Sequence, residues 1–277
     1  MRLARRASRV GVTAAAAASV AATASSSRSS AKVLCLHGGG TNAAIMRLQT
    51  AKLRAQLRGD CEFEFLEGVV PMVNVDPAVK ARFGGPYVSW YDVTHDAYEG
   101  VRSPESYVQA LMDERVTFTY PGAEEAMAQV EQHIESHGPY HTLLGFSQGA
   151  ILITLLTAAR LARSRAGGEA EYPSWKQNVL VCGMPVRAEQ FSSYFTAPLD
   201  FPCIVAQGLQ DPAYEWCTRL KDVYAAPTYL EFPDGHRFPH SREDTTTLAD
   251  AMRSHMGILP AAGDPTSAGD EGSRGHS

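Results

Sequence analysis

The feature that most constrains this chain is Gly145-Phe146-Ser147-Gln148-Gly149, set between two runs of different periodicity. Before it, Tyr140 to Phe146 is apolar and short, the signature of a buried strand. After it, Ile151, Leu152, Leu155 and Leu156 recur at helical spacing within Ala150 to Arg163. G-x-S-x-G joining a strand to a helix is a nucleophile elbow. Glycine on both sides lets the turn close without a Cβ clash and lifts the Ser147 hydroxyl above the sheet. The N–H of Gln148 then faces an attacked carbonyl, and the helix N-terminus adds positive potential for an oxyanion. A buried strand, a tight turn and a helix in that order imply an α/β sheet with its chemistry at the strand ends.

The rest of the chain alternates in the same way. Lys32 to His37 reads as a strand, followed by His37-Gly38-Gly39-Gly40-Thr41-Asn42. A glycine run there lets backbone approach a ligand. The loop after this strand supplies a second oxyanion N–H in such architectures. Gly39 is the expected donor, with Gly38 and Gly40 as alternatives. A phosphate loop is excluded because no Gly-Lys-Ser/Thr ending follows. His37 is expected to be structural, its ring bonded to backbone beside the loop.

Ala43 to Leu57 reads as one amphipathic helix ended by Gly59, and Cys61 to Leu66 as the next strand. Pro121 is expected at the first position of a helix that buries Ala126, Val130 and Ile134, with Glu124 and Glu125 in its first turn. Further strands are expected at Asn178–Cys182, Pro202–Ala206 and Thr228–Phe232, and a short helix at most over Glu189–Phe195. Ser241 and Asp244 resemble a capping box opening the last helix, Leu248 to Met256. The expectation is an α/β fold of the α/β-hydrolase kind: a mostly parallel sheet of about six strands, flanked by helices. Residues 31–258 form the domain.

From Gly68 to Tyr120 periodicity fades, and this insertion (68–120) is a candidate cap over the site. Its aromatics, among them Tyr87, Trp90, Tyr91, Tyr98, Tyr107 and Phe118, either line an acyl pocket or pack the cap onto the body. Gly38, Gly40, Phe146, Tyr87 and Trp90 are the candidate pocket residues.

Asp211, just beyond a strand within Gln207-Gly-Leu-Gln-Asp-Pro212, and His236, after the last strand within Pro233-Asp-Gly-His236, complete the set with Ser147. Nucleophile, acid, histidine is the α/β-hydrolase order. A serine hydroxyl needs a base within reach. A histidine can take and return that proton, and an aspartate holds its tautomer and stabilises the imidazolium. Asp200 lies at the wrong end of its strand to serve as the acid, and Asp234 is close in sequence to His236. His240 and His255 are alternative bases. His133, His137 and His141 are expected to be solvated. Their spacing is not H-E-x-x-H, so no metal or other cofactor is implied.

Charge separates one segment from the rest. Residues 1–30 hold five arginines and no acid, while the remainder carries 20 basic against 30 acidic residues. An acidic balance gives no footprint for a nucleic-acid partner, and no apolar run approaches the ~20 residues of a membrane span. The Arg-, Ala- and Ser-rich leader reads as a transit peptide to a mitochondrion or plastid. A secretory signal with Val10–Ala24 as its apolar region is the rival, and a leader without an address would leave the protein cytoplasmic. Residues 259–277 read as a disordered tail. Five cysteines without paired spacing argue against a disulfide framework.

Taken together, Leu34-Cys-Leu-His-Gly-Gly-Gly-Thr-Asn42 with Gln49-Thr50, Gly138-Pro-Tyr140 leading to Leu144-Gly-Phe-Ser-Gln-Gly149, Gln207–Pro212 and Phe232-Pro-Asp-Gly-His-Arg-Phe-Pro239 resemble the FSH family of serine hydrolases within the α/β-hydrolase superfamily. The resemblance implies a serine esterase or thioesterase with Ser147, Asp211 and His236 as its triad and a small acyl ester or thioester as substrate. It is strongest to the fungal-type branch, some of whose members release polyketide acyl chains from a carrier, so an acyl-carrier partner is implied as well. The shared G-F-S-Q-G is also similar to acyl-protein thioesterases and carboxylesterases. Two rivals use the same residues: a C–C hydrolase or lactonase, and a non-catalytic ligand-binding protein on the hydrolase fold.

Overall fold

A computed structural model of the chain describes residues 30–96, 104–167 and 172–258. The expected leader (bar Ser30), the expected tail and Tyr98 lie outside the described residues, as does the side chain of Tyr107.

Six parallel strands make the central sheet: β1 (Ala31–Leu36), β2 (Cys61–Leu66), β7 (Thr142–Phe146), β8 (Gln177–Val181), β9 (Cys203–Gly208) and β10 (Thr228–Phe232), in the order β10-β9-β8-β7-β1-β2. Every neighbouring pair is parallel. Central strands covered on both faces read as near-continuous apolar runs, and β7, β8 and β9 are buried at every position, the polar Thr142, Gln177, Asn178 and Gln207 included.

One face is covered by α1 (Ala43–Gln49), α2 (Ala51–Gln56) and α9 (Arg242–His255), which pack Met46, Leu53, Leu248 and Met252 onto Val33, Leu144, Val179 and Ile204. The other is covered by α5 (Ala123–His137) and α6 (Gln148–Arg165). Helix α6 buries Ala150 to Ala159 without a break, in one apolar cluster with α5 and with Leu111, Phe118 and Tyr120 of the insertion. Each fully buried Leu or Ile there contributes about 1.5–3 kcal/mol.

The single helix expected over 43–57 is two. Thr50 interrupts it: its hydroxyl and N–H both donate to the Met46 carbonyl, at 2.8 and 3.0 Å, and close the first helix locally. The start of α5 also differs from expectation. Gly122, at φ 83°, is its N-cap, so Pro121 lies one residue outside the helix rather than at its first position. Glu124 and Glu125 occupy the first turn, and Ala126, Val130 and Ile134 are buried, as expected. Glu189–Tyr194 is a 3-10 helix. Helix α9 begins at its Ser241 cap, whose hydroxyl oxygen accepts from the Asp244 N–H at 2.9 Å.

The insertion carries more order than its sequence pattern suggests. It holds α3 (Pro77–Arg82), α4 (Pro104–Met112) and two-residue strands that pair as β3 (Val70–Pro71) with β4 (Val88–Ser89) and β5 (Thr94–His95) with β6 (Phe118–Thr119). Two short helices, α7 (Tyr214–Cys217) and α8 (Leu220–Val223), follow β9.

Candidate active site

Strand β7 delivers Phe146 and Ser147 at the C-terminal edge of the sheet, and α6 leaves at once in another direction. Ser147 takes φ 52° and ψ −117°, a conformation that costs a non-glycine residue about 1–3 kcal/mol. Its N–H donates to the Val181 carbonyl at 2.9 Å, and its own carbonyl accepts from Ala150 and Ile151 at 2.9 and 3.1 Å. The glycines are required sterically. A Cβ on Gly149 would stand 2.3 Å from the Leu36 carbonyl oxygen, and one on Gly145 would stand 2.5 Å from the Ala150 nitrogen. The elbow is thus pressed against the end of β1.

Asp211 and His236 arrive on two loops that touch through backbone. The Gln210 N–H donates to the Asp234 carbonyl at 2.8 Å, and the Leu209 N–H to Phe232 at 2.9 Å. A Cβ on Gly208 would meet the Gly235 oxygen at 2.3 Å, so glycine is what lets these loops lie together. The Asp211 side chain is 2% exposed. One carboxylate oxygen accepts from the Ala213 N–H at 2.9 Å, and the other accepts from His236 Nδ1–H at 2.6 Å. With Nδ1 as donor, Nε2 is left as an acceptor. It lies 2.9 Å from Ser147 Oγ, whose hydroxyl donates to it. The Phe146 ring backs the imidazole at a centroid separation of 5.3 Å.

The other candidates are occupied elsewhere. Asp234 pairs with His240 at 2.8 Å, and His255 bonds the Thr228 hydroxyl at 2.9 Å. His133, expected in solvent, is instead 16% exposed and lies 2.8 Å from Glu64 and 3.0 Å from the Tyr140 hydroxyl. His137 stacks on His133 at 4.3 Å, and His141 is half-buried beside the Thr142 hydroxyl, at 3.1 Å.

The glycine loop after β1 lies against the elbow. A Cβ on Gly38 would stand 3.4 Å from Ser147 Cβ, and one on Gly39 would stand 3.0 Å from Gln148 Oε1. Gly40, at φ 70°, has its N–H committed to the Val88 carbonyl at 2.9 Å. Trp90 is 1% exposed, stacks on His37 at 4.9 Å and donates from Nε1 to the His37 carbonyl at 2.8 Å, so it backs the loop. Tyr87 is half-buried, and its hydroxyl donates to Phe83 at 2.6 Å.

Two side-chain placements had no sequence signal. Gln148, besides its backbone, uses its side chain as a latch: Oε1 accepts from the Trp90 N–H at 3.0 Å, and Nε2–H donates to the Tyr91 carbonyl at 2.8 Å. Cys182, at φ 47°, lies beside Asp211 and His236 with its thiol directed at the Arg237 carbonyl, 3.4 Å away. Burial pushes that thiol up to about 12, so it is neither a thiolate nucleophile nor a ready ligand at neutral pH. Among the described residues, Cys182, Asp211 and His236 form the one group whose donor atoms lie close enough to share a metal, within 4.8 Å of one another. The direct Asp211–His236 hydrogen bond uses the atoms that a metal would need.

Comparison with known proteins identifies the family. A family model described as serine hydrolase (FSH1) matches residues 26–248. A probable esterase of Aspergillus terreus is 30% identical over 248 residues, covering 82% of this chain and 91% of that protein. Esterase mlcF of Penicillium citrinum is 28% identical over 225 residues, covering 76% and 84%. A dihydromonacolin L-[lovastatin nonaketide synthase] thioesterase of Aspergillus terreus is 26% identical, covering 80% and 90%. Among solved structures, Zea mays acyl-protein thioesterase 2 superposes with a TM-score of 0.50 at 18% identity, covering 82% of this chain and 94% of that one. That likeness speaks to the fold, a parallel sheet flanked by helices. No helix among the described residues is long and apolar enough to cross a membrane. With four-fifths of its length matched by the model and a 30% identical relative covering as much of it, the chain belongs to the serine hydrolase (FSH1) family.

Proposed function

We propose that the protein hydrolyses carboxylic ester or thioester bonds of small acyl substrates through an acyl-enzyme on Ser147. One observation carries this reading: the unbroken run of hydrogen bonds from Ser147 Oγ to His236 Nε2, at 2.9 Å, and from His236 Nδ1 to Asp211, at 2.6 Å. His236 removes the hydroxyl proton as Ser147 attacks the carbonyl carbon, then returns it to the leaving alcohol or thiol. Asp211 holds the tautomer and stabilises the imidazolium. The developing oxyanion is held by the N–H of Gln148, at the open N-terminus of α6, and by Gly39. Water, deprotonated by His236, then attacks the acyl carbon and releases the acid with Ser147 restored.

The relatives' names divide between esterase and thioesterase. Both bonds are therefore offered to the enzyme, and a carrier-bound acyl chain is included among the thioesters. A fluorophosphonate probe should label the full chain and fail on Ser147→Ala. That change should also lower kcat by on the order of 10⁶, and Asp211→Asn by about 10⁴. Turnover of p-nitrophenyl esters and acyl thioesters from two to twelve carbons gives the readout. Labelling that survives Ser147→Ala, or labelling without turnover of any substrate, would overturn the reading.

A further inference from the structure

His37 is a buried histidine at the head of the glycine loop that the mechanism above leaves unused. It is 0% exposed, and both its ring nitrogens are engaged. The Gly68 N–H donates to Nε2 at 2.9 Å, which makes Nε2 an acceptor and places the ring proton on Nδ1. Nδ1–H then donates to the Gly38 carbonyl at 2.8 Å. The same carbonyl accepts from the Thr41 hydroxyl at 2.5 Å and the Thr41 N–H at 3.3 Å. Three donors on one carbonyl fix that peptide plane.

In a trans peptide the C=O and the following N–H point in opposite directions. Tying the Gly38 oxygen back toward His37 and Thr41 therefore turns the Gly39 N–H away from them. The glycine pair's other side faces the elbow, since a Cβ on Gly38 would stand 2.9 Å from Phe146 Cδ1 and 3.4 Å from Ser147 Cβ. Gly40 is no substitute donor, because its N–H is committed to Val88. Trp90 secures the histidine itself, by the ring stack and by its bond to the His37 carbonyl.

The geometry points to His37 as a positioning residue that aims the Gly39 N–H at the substrate oxyanion, through the Gly38 carbonyl. The inference rests on the acyl-transfer reading above and adds a requirement: a neutral imidazole with its proton on Nδ1. A protonated ring would set Nε2–H against the Gly68 N–H. In keeping with this, burial lowers the pKa of His37, against the pull of the Gly38 carbonyl and Glu67.

Two amide replacements separate the ring positions. The amide of His37→Asn reaches the δ position and can donate to the Gly38 oxygen. That of His37→Gln reaches the ε position and keeps the Gly68 contact alone. For His37→Gln, kcat should fall about 10²-fold, the loss of one oxyanion donor, with KM within about threefold of wild type. Affinity for an acyl trifluoromethyl ketone, whose adduct on Ser147 bears the oxyanion, should fall by the same factor. His37→Asn should stay within about tenfold of wild type in both. If either variant fails to fold by circular dichroism, Thr41→Val, which removes the hydroxyl donor alone, should lower kcat about tenfold at constant KM. Equal losses in the two histidine variants, unchanged ketone affinity, or wild-type kcat in Thr41→Val would overturn the assignment. A wild type with no Ser147-dependent turnover would instead remove the acyl-transfer reading, and this inference with it.

Discussion

Ser147 holds a backbone conformation that a serine does not choose by itself, and its neighbours supply the constraint. The Val181 carbonyl takes its N–H, and two glycines allow α6 to turn back over β1. Gly149→Ala brings a methyl group to 2.3 Å from a strand carbonyl that has no room to move. It should cost about 3 kcal/mol and lower Tm accordingly, measured by thermal denaturation, even though alanine is the better helix former. Backbone requirements of this kind were legible in the sequence, because glycine spacing records them directly. The Gln148 latch was not. Its partners lie 57 and 58 residues earlier in a stretch without periodicity, and no local pattern announces a long-range side-chain bond.

At the scale of elements, strands and helices of the sheet were legible because apolar period and cap residues agree. Differences arose where one side chain redirected the backbone, as Thr50 does between α1 and α2. The insertion was the least legible part, since two-residue strands carry no alternation to read. What holds part of it is Arg187. Its guanidinium donates to the carbonyls of Leu111 at 2.6 Å, Asp113 at 3.0 Å and Val116 at 2.7 Å, and lies over the rings of Phe118 and Trp216. These are the carbonyls at and just beyond the end of α4, where a helix lacks partners and favours a cation. Arg187→Met keeps the length and loses the donors. It should cost about 2–3 kcal/mol, and hydrogen exchange should quicken over residues 108–119 while β7 and β8 stay protected.

For the molecule as a whole, acid pH acts through histidines held neutral. Burial lowers the pKa of His37, His141 and His255 below the ordinary 6.5. A depressed histidine pKa means that the unfolded chain binds protons the folded chain refuses. Stability is therefore intact above about pH 6.5 and falls as pH drops below it. Melting curves between pH 7.5 and 5.5 should show Tm decreasing in that direction, before the carboxylates titrate. Burial pushes the Glu64 carboxyl up, but its bonds to Tyr140 and His133 together outweigh that and lower its pKa, so it resists protonation until more acid conditions.

Gln148 serves the elbow with its backbone and the insertion with its side chain. A bulky acyl group that levers residues 90 and 91 outward would tug the same residue whose amide we propose steadies the negative oxygen. Misfit substrates should then bind adequately and react slowly, so that chain-length preference shows in kcat more than in KM. Cutting the tether with Gln148→Ala should flatten that preference and make the enzyme slower but less discriminating across a series of acyl esters.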